Sequence, residues 1–419
     1  MSREREVKKA KHRLTDLLEL IFYAAVIGVS VGLVGTAFDR CLEFATEFRT
    51  GHSRLIYFLP VAALGIVFLY HKAGIPHPRG TNRIILAAKG DKEGVALRAV
   101  PLIFVSTVIS HLSGASVGRE GAALQLGGAM ASFVGRKIRL SHMDRGTIIQ
   151  CGMAAGFSSL FGAPLAAAVF ALEIVSSEIH YTAIFPVLLS SLISWTISSS
   201  LGSEGTHFSV SGSLELGIWT ILKVILFGIV IAGLSIVFIE LLHRCGDLVS
   251  KHLPNQYLRA AVFGSAALLV SLCFPSGDYN GAGIGVIERA LMGEALPYAF
   301  LLKLLMTLLS VYAGYKGGLI VPSFFIGATF GCTIAPLFGL PAGFAAGLGM
   351  VSFFCSVVNC PITAVVLGYE MFGGDGLMLV ALCCSIAYMM SGKYSIYPAQ
   401  IFQHPKFGYE EEPDFDDYR

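Results

Sequence analysis

Gly317-Gly318-Leu319-Ile320-Val321-Pro322 opens a stretch of 53 residues, running to Tyr369, that contains no Asp, Glu, Lys or Arg. A membrane helix needs about 20 apolar residues, so this stretch has length for more than two crossings. Yet Pro322, Pro336, Pro341 and Pro361 punctuate it, together with many glycines. The pattern predicts short, broken or tilted helices. A break at membrane depth leaves backbone N–H and C=O groups unpaired, which a bilayer tolerates only where they are buried in protein or line a cavity. Transporters use such breaks to build ion sites.

The remainder of the chain reads as the same kind of body. Of the 419 residues, 54% are hydrophobic and 14% charged, against about 25% charged in an ordinary soluble domain. Mean hydropathy is +0.70. Soluble, disordered, collagenous and disulfide-scaffold classes are excluded, leaving an all-α polytopic membrane protein. Residues 1–20 hold 10 of the 58 charges and residues 406–419 hold 8, so the membrane body is poorer in charge than the average. Further apolar segments lie at Leu17–Phe38, Leu55–His71, Ala99–Gly114, Gly146–Leu172 and Ile179–Leu201. Others follow at Leu216–Phe238, Ala260–Pro275, Leu301–Tyr315 and Gly376–Met390. Trp195 and Trp219 read as interface anchors. The nine cysteines, Cys273, Cys332, Cys355, Cys383 and Cys384 among them, show no metal-ligand spacing and read as small buried hydrophobes. No cofactor or metal is expected, and a net charge of +2 gives no reason to expect a nucleic acid.

The first 13 residues carry six Lys/Arg and His12. That is too polar for a signal peptide and places residues 1–16 in the cytoplasm by the positive-inside rule. Residues 404–419 read as an acidic, solvated tail. Between them the chain repeats itself at a distance near 200 residues. The segment Gly80–Gly90 lies over Gly283–Gly293. Each copy is followed by an apolar helix and a Gly-rich break, Gly118-Arg119-Glu120-Gly121 in one and Gly317–Pro322 in the other. Gly127-Gly128-Ala129 then matches Gly327-Ala328-Thr329. This predicts a first membrane repeat over 17–200, a linker at 201–213 and a second repeat over 214–403, with a site between the halves near mid-membrane.

Glu120 is the conspicuous charge. A carboxylate at membrane depth costs a few kcal/mol even on lenient insertion scales. A structural pairing with Arg119 is one reading, although neighbours in sequence on a helix do not face each other. The other follows from Gly118 and Gly121, which leave amides exposed at a helix start, and such amides attract anions. Glu120 can compete with a mobile anion for them. It can also carry a proton, because loss of hydration disfavours an ionised carboxylate. Glu173, Glu178 and Glu370 follow long apolar runs and read as interfacial; Arg98, Lys303 and Lys316 read as snorkelling or capping; His111 reads as packed and hydrogen-bonded. No phosphate loop, His-Glu-x-x-His or Gly-x-Ser-x-Gly motif occurs. That weakens an ATP-driven pump and an intramembrane enzyme.

Gly118-Arg119-Glu120-Gly121 resembles the gating-glutamate signature of the CLC family of anion channels and anion/proton antiporters. Gly317–Pro322 resembles that family's second anion-binding element. Ser391-Gly392-Lys393-Tyr394-Ser395-Ile396-Tyr397-Pro398-Ala399 resembles the third, in which a tyrosine hydroxyl faces the anion. The match spans about residues 17 to 403. It implies two inverted-topology repeats with broken, tilted helices, a homodimer with one pathway per subunit in a bacterial inner (plasma) membrane, and anion coordination by helix N-termini. The expected activity is transport of a halide anion, chloride first, by antiport with Glu120 as gate and proton carrier; a passive chloride channel is an alternative. The implied anion ligands are Thr81, Asn82, Gly118, Arg119, Gly121, Leu319, Ile320, Val321 and Tyr397, with Tyr394 as a rival for Tyr397.

Three departures stand out. The first element is Gly80-Thr81-Asn82 rather than Gly-Ser-Gly-Ile-Pro, since Gly74-Ile75-Pro76 comes too early. Ala122 replaces the proline after the gate. Ile174, one residue after Glu173, stands where the family's inner proton glutamate would fall. The first of these, with the short chain, resembles a branch that includes fluoride/proton antiporters, so fluoride is an alternative cargo. Members of that branch often carry Met at the Thr81 position and Glu at the Leu319 position, and this chain has neither.

Overall fold

The glycines and prolines that interrupt the apolar runs decide where helices stop. In the computed structural model, residues 2–75, 78–91, 95–137, 145–175, 180–203, 205–400 and 406–407 are described, with the side chains of residues 2–13 set apart. Pro76, Glu178 and the acidic run Glu410–Asp417 lie outside the described residues. The first half comprises α1 (Ser2–Gly51), α2 (Leu59–Lys72), α3 (Thr81–Ala88), α4 (Ala99–Ser113), α5 (Glu120–Lys137), α6 (Arg145–Phe161), α7 (Pro164–Glu173) and α8 (Tyr181–Ser200). In the second half, α9 (Ile218–Glu240) runs through a π-helical turn into α10 (Gly246–His252). Then come α11 (Gln256–Cys273), α12 (Ile284–Leu291), α13 (Ala299–Ala313), α14 (Ile320–Phe338), α15 (Ala342–Val358), α16 (Pro361–Phe372) and α17 (Leu377–Met390). Six helical stretches among the described residues are long and apolar enough to cross a membrane.

Helices α3 to α8 correspond in order to α12 to α17. The pairs α3/α12, α4/α13 and α6/α15 have equal lengths of 8, 15 and 17 residues. Both α4 and α13 end on a left-handed glycine, Gly114 and Gly314, which closes a helix without a Cβ penalty. The uncharged stretch Gly317–Tyr369 divides into α14, α15 and α16, as its prolines predict. The apolar run Gly146–Leu172 also divides, at Gly162-Ala163. The equivalent turn in the second half is at Asn359, the one non-glycine with positive φ among the described residues. Asparagine tolerates that conformation better than most side chains. Small residues bring α5 onto α6 and α14 onto α15: a Cβ on Gly127 would run into the Gly152 carbonyl oxygen, and one on Gly327 into that of Gly349.

The two halves exchange helix caps. Helix α7 and helix α16 each begin with a proline, Pro164 and Pro361, after an extended residue. The Glu370 carboxylate on α16 accepts from the amides of Leu165 (3.0 Å) and Ala166 (2.7 Å) at the start of α7. Glu173 at the end of α7 accepts from the amides of Ile362 (3.1 Å) and Thr363 (2.8 Å), and from the Thr363 hydroxyl (2.6 Å), at the start of α16. Both glutamates serve as helix caps. Carboxylates suit this place, where orphan amides meet the positive end of the helix dipole. Glu370→Gln and Glu173→Gln are each expected to destabilise the protein by about 1–2 kcal/mol. Thermal unfolding of detergent-solubilised variants measures this, and a melting profile identical to the native one contradicts it.

Two further expectations change. Lys303 does not snorkel: it is fully buried, and its ammonium group donates to the Gly281 carbonyl at 2.6 Å. Cys273 is exposed, while Cys332, Cys355, Cys383 and Cys384 are buried as expected.

Candidate functional site

The site forms where four chain segments meet. Gly118 and Gly318 exchange backbone hydrogen bonds in both directions, each 2.7 Å, in an isolated antiparallel bridge. This bridge sets the starts of α5 and α14 side by side. The approach leaves no room for side chains: a Cβ on Gly121 would stand 2.8 Å from the Gly318 Cα. The start of α3 joins them, because the Thr81 hydroxyl donates to the Gly121 carbonyl at 3.4 Å and accepts from Gln125 Nε2 at 3.2 Å. The fourth segment is the extended stretch after α17. The Ala399 amide donates to the Asn82 side-chain oxygen at 3.1 Å, and Lys89 Nζ donates to the Ala399 carbonyl at 2.8 Å. These bonds place Tyr397, 6% exposed, with its hydroxyl against Thr81 and within range of the Glu120 charge.

Glu120, 1% exposed, is the first residue of α5. Its Oε2 accepts from the Arg119 amide at 3.0 Å, so the carboxylate occupies the amides that a mobile anion would seek. Gly118, Arg119 and Gly121 contribute backbone. The Arg119 guanidinium turns to the fully buried Asp39 on α1, leaving Nε 3.7 Å from Glu120 Oε1. Ile320 and Val321 are buried in the first turn of α14 and offer its free amides. Leu319, the residue before them, faces a cavity of about 850 Å³ lined also by Tyr70, Asn82, Lys316 and Ile396. Asn82 lies at this cavity too, but its side-chain oxygen is committed to holding the Tyr397 segment. Of the two tyrosines, Tyr397 is the one beside Thr81 and Glu120. Tyr394 is only partly buried, and its carbonyl accepts from Asn359 Nδ2.

Asp39 joins the site without a mark in the sequence. It lies one residue past the apolar segment Leu17–Phe38 and looks interfacial, yet it binds both Arg119 and the Ser203 hydroxyl, the latter at 2.5 Å. Ile174 is fully buried, and its neighbour Glu173 is engaged in capping α16.

Three helix starts, of α3, α5 and α14, meet around the buried Glu120 carboxylate, and free amides of this kind are suited to an anion. Residues 62–392 match the family described as voltage gated chloride channel, and the chain belongs to this family, the CLC family. It is 34% identical over 95% of its length, and 91% of the relative's, to a protein of Pseudomonas syringae pv. tomato named chloride/fluoride channel protein. It is 26% identical to an H(+)/Cl(-) exchange transporter of Yersinia pestis bv. Antiqua, over 93% of this chain and 89% of that one. Among solved structures, a CLC-type fluoride/proton antiporter superposes with a TM-score of 0.88 at 35% identity, covering 92% of this chain and 98% of the other. A slow cyanobacterial Cl-/H+ antiporter, at 20% identity, covers 89% of this chain and 94% of the other with a TM-score of 0.76, a likeness of fold.

Proposed function

We propose that this membrane protein exchanges a halide anion for protons, with Glu120 as both gate and proton carrier. The observation that carries the reading is the Glu120 carboxylate lying on the Arg119 amide at the start of α5. Ionised, it fills the place of an anion; protonated, it loses its hold on the amides and yields the place. The anion is held by amides at Arg119 and Gly121, by those of Ile320 and Val321, and by the hydroxyls of Thr81 and Tyr397, while Gly118, whose amide is taken by the Gly318 carbonyl, fixes the approach of the two helix starts. Asn82 braces the Tyr397 segment and Leu319 borders the entrance. The cavity beside Leu319 is the cytoplasmic vestibule, following the basic N-terminal segment placed in the cytoplasm by charge.

Two cargoes have support. Fluoride is favoured by the relative and the solved structure near 35% identity, whose names carry it. Chloride is favoured by Thr81 and Leu319, which depart from the pattern of fluoride-transporting members. The membrane repeats of this reading are 17–200 and 214–403, joined at 201–213. The assembly is a homodimer in the inner membrane, with exposed apolar side chains such as Leu165, Ile184, Leu192 and Ile362 on α7, α8 and α16 available to a second copy.

The test is a gradient experiment in proteoliposomes containing the purified chain. A fluoride or chloride gradient is imposed and internal pH is followed. Uphill proton movement driven by one of the anions is the expected result, and the more effective anion identifies the cargo. A purely passive, Nernstian voltage without proton movement indicates a channel and overturns the exchange reading.

A further inference from the structure

A proton carried by Glu120 needs a way to the vestibule, and α7 does not supply one, since Glu173 caps α16 and Ile174 cannot titrate. A polar seam between α4 and α13 lies in the right place. The Ser116 amide donates to the Ser310 hydroxyl at 2.9 Å, and the Lys316 amide donates to the Ser110 hydroxyl at 3.2 Å. These are one contact made twice, at positions 200 residues apart. On one side the seam is closed, because the Ser116 and Thr307 hydroxyls lie 3.0 Å apart. On the other side Ser116 is replaced by Lys316, whose ammonium group sits over the Tyr70 ring, 4.9 Å from its centre, at the vestibule.

Thr107, the counterpart of Thr307, is thereby deprived of its mate. It is fully buried, and its hydroxyl has no hydrogen-bond partner among the described residues. One turn further along the same face of α4 is His111, 4% exposed, whose Nε2 also has no partner among them. The ring's other contact is the Gly118 backbone. Across Gly118 lies Glu120, whose Oε2 is 2.7 Å from the place of a Gly118 Cβ. Two orphaned polar atoms a turn apart at membrane depth are costly as packing alone. They make sense as a route.

We propose that Thr107 and His111 form an inner proton relay between the vestibule and Glu120, with His111 as the titrating group. This rests on the antiport reading above. Neither the Thr107 hydroxyl nor His111 Nε2 has a partner among the described residues at rest, so the Thr107 side chain first turns to bring its hydroxyl to His111 Nε2; the hydroxyl then gives its proton to the ring as it takes one entering past Lys316. The imidazolium turns from the Gly118 backbone, gives its Nε2 proton to the Glu120 carboxylate and turns back with Nδ1 still protonated, so ring and hydroxyl regain their starting state. The charged groups around the ring are Arg119 at the start of α5, Arg49 from α1 and Lys303 from α13.

The experiment compares native protein with His111→Gln, His111→Asn, Thr107→Val and Thr107→Ser in the proteoliposome assay, following proton and anion flux together. Gln and Asn preserve size and hydrogen bonding, so a packing role is rescued by them and a relay is not. Proton flux through His111→Gln and His111→Asn is expected to fall about ten-fold or more while anion flux continues. Thr107→Val falls similarly and Thr107→Ser keeps coupling. Native coupling ratios in His111→Gln or His111→Asn overturn the relay, and so does native coupling in Thr107→Val. If Glu120→Gln still uncouples in the same vesicles, the antiport reading survives that loss. Absence of proton movement in the native protein overturns both.

Discussion

Glu120→Gln is expected to carry anions and no protons. The glutamine side chain has the size of the protonated carboxyl group and keeps an oxygen to accept from the Arg119 amide, so the helix start is preserved. It has no proton to gain or lose. It also carries no charge to compete with an anion at the amides of α5. Proton flux should fall below detection, a loss of about 100-fold or more. Anion flux should persist and become insensitive to pH. The sign follows from the proposed gate: acid that protonates Glu120 would free the site, so native flux should rise as pH falls, whereas the variant should be open at every pH. Proteoliposome flux measured between acid and neutral pH checks both statements. Strict proton coupling surviving in Glu120→Gln would remove Glu120 from the mechanism.

Much of this geometry is legible in the amino-acid sequence, for physical reasons that differ by residue. The breaks at Gly118–Gly121 and Gly317–Pro322 show because glycine and proline act locally, whatever the tertiary context. Glu120 shows because a carboxylate is rare in such surroundings. The division of Gly146–Leu172 does not stand out although Gly162-Ala163-Pro164 carries its signal, since one glycine before one proline is a weak mark inside an apolar run. Thr81 and Tyr397 lie more than 300 residues apart, and only resemblance to a family links them in the sequence. The exchanged caps of Glu173 and Glu370 look interfacial for the same reason. Each glutamate follows an apolar run, and its partner is a helix start in the other half. His111 looks like an ordinary packed, hydrogen-bonded histidine. Its Nε2 has no partner among the described residues, and the Thr107 hydroxyl one turn away has none because Lys316 stands where symmetry would place a serine; no local pattern reveals either.

Arg119 and Asp39 should matter unequally for stability, and the inequality comes from their burial. The Asp39 side chain is fully buried, while 21% of the Arg119 side chain is exposed. Removing one member of a buried ion pair typically costs about 3–5 kcal/mol, because the charge left behind has lost its compensation. Arg119→Gln leaves Asp39 with the Ser203 hydroxyl as its hydrogen-bond partner among the described residues and Arg40 as a more distant charge, so this variant should show the larger loss. Asp39→Asn leaves Arg119 with partial solvation, the Leu160 carbonyl at 3.4 Å and the Glu120 carboxylate within reach, so its loss should be smaller, about 1–2 kcal/mol. The same variant should change the gate. An Arg119 freed from Asp39 pairs more strongly with ionised Glu120 and holds it at the amides, so anion flux at neutral pH should fall and recover in acid. A double variant, Asp39→Leu with Arg119→Met, removes both charges and should recover most of the stability lost in Arg119→Gln. Unfolding of the three variants in detergent, beside their flux–pH profiles, supplies the comparison. Additive losses in the double variant would mean that the two side chains act independently, and the ion pair would then have no part in setting the gate.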